Sequence, residues 1–119
     1  MPLPETCAFN NDVCDIVAMI DRCQVPTFGR IDPQRLLWPV NRRQALRQLQ
    51  AFVDHRLPHF GTYQDAMTAE NGFLFQSMLS FALNTKMLHP MEVIQAAIAR
   101  SQTISGEAVG IEQLEGFIR

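Results

Sequence analysis

Gln76, Ser77, Ser80 and Asn84 are polar side chains in a largely apolar run, FLFQSMLSFALNTKMLHP, from Phe73 to Pro90. Uncharged amides and hydroxyls both donate and accept hydrogen bonds, which suits them to holding a phosphate or carboxylate rather than to moving protons. Placed on an α-helix with Gln76 at 0°, Ser80, Asn84 and Ser77 fall at about 40°, 80° and 100°, a single narrow stripe. Near a helix N-terminus, where free N–H groups favour negative charge, such a stripe can face a polar ligand. It also has a local reading, in which the serines bond back to carbonyls one turn earlier and Gln76 and Asn84 reach a loop. Periodicity leaves both open.

Other chemistry-bearing residues are sparse. Tyr63 and Asp65, in FGTYQDAM, offer a donor and an acceptor just before the run, and Gly61 allows a sharp turn there. His55 and His59 have the i, i+4 spacing of metal ligands, but Pro58 breaks the register between them and no third ligand lies at useful spacing, so no metal site is expected. Arg43 and Arg47, one turn apart, are expected to be solvated. Cys7, Cys14 and Cys23 are odd in number and contain no CxxC, which favours reduced thiols. GxSxG, P-loop, GxGxxG and HExxH patterns are absent from the sequence.

The elements that must position these residues read as helices, and the fold class as all-α with about five of them. Residues 10–24 form a first helix capped by Asn11 or Asp12, with Val13, Ile16, Val17 and Ile20 on one face. Residues 25–40 are broken by Pro26, Gly29, Pro33 and Pro39 into an ordered loop, which Trp38 pins to the core. Asn41 and Gln44 form a capping-box pattern for an amphipathic helix whose inner face is Ala45, Leu46, Leu49, Phe52, Val53 and Leu57, ended or kinked at Pro58. The helix over Phe73 to Leu88, apolar on most of its circumference, should be the most buried. Pro90 and Glu92 start another that runs to about Ser101 with Met91, Ile94, Ala97 and Ile98 inward. Ser105-Gly106 marks a loop, and a final helix from Gly110 or Ile111 carries Leu114, Phe117 and Ile118 on one side. That helix is still in pattern at Arg119, an expectation that the chain is a piece of something longer.

The 119 residues, 47% hydrophobic and 18% charged with net charge −2, read as one helical domain or domain fragment (1–24, 25–40 and 41–119 as its parts). A net acidic chain without a basic cluster argues against nucleic-acid binding by itself, including by a helix-turn-helix. Without a membrane-length apolar run or a secretory leader pattern, the expected location is cytoplasmic, with no membrane partner.

Several segments, in order, resemble the prokaryotic photolyase-related proteins, the iron–sulfur bacterial branch of the cryptochrome/photolyase family. They are Trp38-Pro39-Val40-Asn41-Arg42 with Gln44-Ala45-Leu46, then FGTYQDAM at Phe60 to Met67, FLFQSMLSFALNTKMLHPMEVI at Phe73 to Ile94, and EGFIR at Glu115 to Arg119. The resemblance covers roughly residues 25–119. It implies part of a photolyase-type helical FAD-binding domain, in which the stretch matching Gln76 to Leu83 wraps the FAD phosphates. Carried over by position, it implicates Tyr63, Gln76, Ser77, Leu79 (through its backbone) and Ser80. Gln76 stands where the subfamily usually has histidine, and Phe81 where the superfamily has proline.

Complete members also carry an α/β domain, a Trp-Arg-Glu-Tyr stretch, electron-transfer aromatics, lesion-binding residues and cluster cysteines that this sequence lacks. The resemblance therefore implies a fragment of a light-driven DNA repair or blue-light sensing protein, inactive in isolation. FAD belongs to the full-length parent, no iron–sulfur cluster is expected here, and DNA is met only through that parent. The partners implied are the missing remainder and, for the isolated chain, a second copy. A stand-alone helical interaction module that has lost the cofactor is the alternative.

Overall fold

The computed structural model describes residues 3–103 and 108–119. Among these the chain forms six α-helices and no strand, so it is all-α: α1 Cys14–Arg22, α2 Arg42–His55, α3 Leu57–Tyr63, α4 Ser80–Asn84, α5 Pro90–Ser101 and α6 Ile111–Ile118. The Ser105-Gly106 loop lies outside the described residues.

The most buried helix is α2, not the one expected at 73–88. Asn41 caps it by accepting from the Gln44 N–H at 2.9 Å. The Gln44 side chain does not close the box on Asn41. Its Oε1 takes the Val40 N–H and the Asn11 amide, both at 2.9 Å, while its Nε2 returns a bond to Asn11 Oδ1 at 2.8 Å. The inner face is Ala45, Gln48, Leu49, Phe52 and Val53. Leu46, expected inside, is exposed, and Gln48 takes a buried place.

Pro58 acts as its ring requires. Helix α2 stops at His55, and α3 restarts with Pro58 in its first turn, where a missing N–H costs nothing. Phe52 meets Phe60 edge-on at 5.9 Å and Phe117 at 4.7 Å, joining α2, α3 and α6. Burying side chains as completely as Phe52, Leu57, Leu79 and Leu88 is worth about 1.5–3 kcal/mol each.

Gly61 sits inside α3, and its role is close approach rather than a sharp turn. A Cβ there would lie 3.0 Å from Gln113 Cα and from the Glu112 carbonyl, so α3 and α6 meet backbone to backbone. Leu114 and Phe117 of α6 pack on this chain's own core, while Ile111 and Ile118 remain exposed.

Helix α5 opens with a full reciprocal cap. His89 Nδ1 accepts from the Met91 N–H at 3.1 Å, and Glu92 Oε2 accepts from the His89 N–H at 2.8 Å. Val93 and Ala97 face the core, whereas Met91 and Ile98, expected inward, point out. Arg42 clamps this start to α2 through a forked pair with Glu92 at 2.9 and 3.1 Å and a bond to the Met87 carbonyl at 2.8 Å.

Residues 3–40 form an arm. Val13, not Asn11 or Asp12, holds the N-cap position of α1 and no side chain caps it; Asp12 accepts from the Cys14 N–H at 2.9 Å, no residue of α1 is buried and Ile16 is exposed. An isolated bridge pairs Asn11 with Leu36, and Trp38 stacks on Phe81 at 5.8 Å, the expected pin. The radius of gyration is 16.3 Å, above the roughly 13–14 Å of a compact domain of this length.

Candidate cofactor-phosphate site

Residues 73–79 do not form a helix. Asn71 Oδ1 accepts from the N–H groups of both Phe73 and Leu74 at 2.8 Å, closing a turn where a helix would have begun. Leu74 and Met78 then take left-handed φ values of 41° and 59°, which no helix allows. Arg56 reaches in and donates to the Gln76 carbonyl at 3.0 Å and to Met78 Sδ at 3.5 Å, holding the loop in place of ladder bonds. Helix α4 keeps only Ser80–Asn84.

The expected stripe is therefore dispersed. Tyr63, at the end of α3, stacks on the buried ring of Phe75 with centroids 5.0 Å apart and planes at 22°, and His59 meets both rings edge-on. Gln76 Nε2 donates to the Gln64 carbonyl at 2.9 Å, so Tyr63-Gln64 and Phe75-Gln76 run side by side. Ser77 turns inward, with its Oγ accepting the Leu79 N–H at 3.4 Å, and lines a small cavity with Cys7, Gln48 and Arg56. Leu79 is buried, and Ser80 is exposed at the first position of α4. Asn84 is exposed at the other end of α4. Tyr63 and Gln76 thus come together, while Ser77 looks to the opposite, inner side of the loop.

These residues do not form a ready cradle for a diphosphate. Gln76, Ser77 and the Leu79 amide already have partners within the chain, which leaves Ser80 and the half-buried Tyr63 to receive a ligand. A wide cleft lies elsewhere, about 870 Å³ between residues 4–8 and α2–α3, lined by Arg47, Asp54, His55, His59 and Phe75 among others. None of the five expected residues lines it. Arg43 and Arg47 are exposed, the Arg47 guanidinium lying 5.9 Å over the Phe9 ring.

Arg56 is the residue that sequence reasoning missed. It is buried, and burial pushes its pKa below the ordinary arginine value while the nearby Cys7 sulfur opposes that fall. Besides the loop it holds Thr6 Oγ1 at 3.3 Å, so one guanidinium joins the arm to residues 76–78. Gln48 was equally missed, although its spacing from Ala45 and Phe52 puts it on the inner face of α2. Among the described residues no group of three or more His, Cys, Asp or Glu side chains could hold a metal ion, and no helix is long and apolar enough to cross a membrane.

No family model matches the chain. Over 105 residues, 88% of its length, it is 31% identical to a (6-4) photolyase of Agrobacterium fabrum (strain C58 / ATCC 33970). The chain is photolyase-related in sequence. It spans only 20% of that relative's length.

Proposed function

We propose that this photolyase-related chain corresponds to part of the FAD-binding helical region of an iron–sulfur bacterial photolyase or cryptochrome. The observation that carries this reading is 31% identity over 88% of the chain to a protein of which it spans one fifth. In the longer protein Tyr63, Gln76, Ser77, the Leu79 amide and Ser80 would surround the FAD phosphates. The loop over 76–79 must then exchange its internal bonds for phosphate, which its left-handed Met78 and lack of ladder bonding make accessible. When bound in the parent, FAD supplies the redox chemistry, and these residues only bind and orient it.

In isolation the chain does no chemistry, because a cradle open on its other side gains little after desolvation and ordering costs. Its exposed apolar residues Ile16, Met19, Val25, Phe28 and Ile31 favour self-association. The last helix, by contrast, covers Leu114 and Phe117 within the chain. DNA would be met only through the parent, and a cytoplasmic location belongs to the same reading.

The flavin absorbance of the purified chain, with its mass by light scattering, tests this. A colourless species heavier than the 13.5 kDa monomer is expected, and a yellow monomer with stoichiometric FAD would overturn it. A second reading, a helical interaction module without cofactor, is favoured by the internal bonds already made by Gln76, Ser77 and Leu79. Flanking DNA discriminates: continuation into a Trp-Arg-Glu-Tyr stretch supports the first, and a stop codon under the chain's own promoter the second.

A further inference from the structure

Beside the loop over 76–79 lies a cavity of about 10 Å³, lined by Cys7, Gln48, Ala51, Phe52, Arg56, Ser77 and Met78. That is room for a single oxygen-sized atom. Gln48, only 2% exposed, contributes to its wall, and both its Oε1 and its Nε2 lack a hydrogen-bond partner among the described residues. A buried amide left this way is unfavourable, so an occupant that both donates and accepts is called for. Arg56 brings a buried cation whose side-chain partners are Thr6 Oγ1, Met78 Sδ and the Gln76 carbonyl, none of them a carboxylate. Cys7 is partly buried and lines both this cavity and the open cleft, so it stands between the space beside the orphan amide and solvent.

We propose that Cys7 is a site of oxidation by hydrogen peroxide, its sulfenic oxygen seated between Gln48 and Arg56. The Cys7 thiolate attacks one peroxide oxygen. An S–O bond forms and the O–O bond breaks, sulfur gives up two electrons, and the departing hydroxide takes the proton released by the thiol to become water. The resulting S–OH donates to Gln48 Oε1 and accepts from its Nε2, pairing both orphan atoms, which a thiol does poorly. The other cysteines lack this setting. Cys14 is hydrogen-bonded to Asp12, which holds its thiol pKa up and so disfavours the reactive thiolate, and Cys23 is exposed.

The full chain is treated with peroxide in the presence of dimedone, and the adducts are located by peptide mass spectrometry. Iodoacetamide alkylation, which seats no oxygen, is run in parallel. Dimedone is expected to label Cys7 about tenfold faster than Cys14 or Cys23, the upper end of what a net hydrogen bond to a neutral amide contributes, with no such preference toward iodoacetamide. Gln48→Leu should abolish the peroxide preference and leave Cys7 alkylation unchanged. Equal labelling of the three cysteines, the same preference toward both reagents, or an unchanged preference in Gln48→Leu overturns the proposal. A cavity that holds only a water gives the first of these results. If Gln48→Leu loses its helical circular dichroism, the comparison of the two reagents on the native chain decides alone.

Discussion

Glu92 shows what a single side chain does in this molecule. Its carboxylate accepts both forks of Arg42 and the His89 N–H, and these hold its pKa below the ordinary 4.5, the Arg42 bonds contributing most. The folded state therefore binds fewer protons than the unfolded state near that pH. The stabilisation is complete above about pH 4.5 and is lost as pH falls through the depressed folded value. Urea midpoints at about pH 6 and pH 3 should differ more for the native chain than for Glu92→Gln, which has no carboxylate to protonate. Equal differences would show that Arg42 and Glu92 do not act as a clamp.

Residue types announced some of these roles and hid others. Pro90 with Glu92 read as a helix start, and the structure adds His89 to make a reciprocal cap. The polar stripe did not survive because Gln76, Ser77 and Ser80 share a face only if the backbone is helical. Asn71 closes a turn at the start of the run, and Arg56, twenty residues earlier, takes the Gln76 carbonyl. An apolar run on all sides gives no preferred face, so nothing in its period signals the left-handed turns at Leu74 and Met78.

At the scale of elements, two helices end in the same unusual way. After α4, Met87 N–H bonds the Ala82 carbonyl and Lys86 N–H the Leu83 carbonyl, a Schellman closure with Lys86 at φ 62°. Helix α1 repeats it, with Val25 to Ile20, Gln24 to Asp21 and Gln24 at φ 53°. Glycine is the residue suited to that position. Lys86→Gly should therefore stabilise the chain by about 1 kcal/mol, read as a higher urea midpoint at unchanged m. A lower midpoint would show that the lysine side chain makes up for its backbone strain.

The α3–α6 crossing gives the opposite expectation. Gly61→Ala drives a methyl into the backbone of Glu112 and Gln113 and should cost about 1–3 kcal/mol. Gly116→Ala meets first the flexible Gln64 side chain at 3.3 Å and should cost less. Similar melting temperatures for the two variants would contradict a backbone-to-backbone contact. Sequence spacing exposed most of the inner face of α2 and the Leu114 and Phe117 side of α6, because each pairs one apolar side with one polar side, but it misplaced Leu46, Gln48 and Ile118. The closeness of α3 to α6 could not be read that way, since glycine carries no hydropathy signal of its own.

At the scale of the whole molecule, a body of α2 to α6 carries an arm ending at Val40. Among its fastenings are Arg56 to Thr6, Arg47 over the buried Phe9 ring, the paired amides of Asn11 and Gln44, and Trp38 on Phe81. The Asn11–Gln44 pair is the fastening with the most consequence for motion. Because α1 buries nothing of its own, its amides need only the arm to lift for deuterium to reach them, whereas those of α2 must wait for the body to open. Asn11→Ala should lower protection throughout 14–22 as a block and leave Leu49 to Val53 at their native exchange rates. In that block-wise release the arm would show itself to be a separate cooperative unit, free to exchange one surface for another without disturbing the body that carries it.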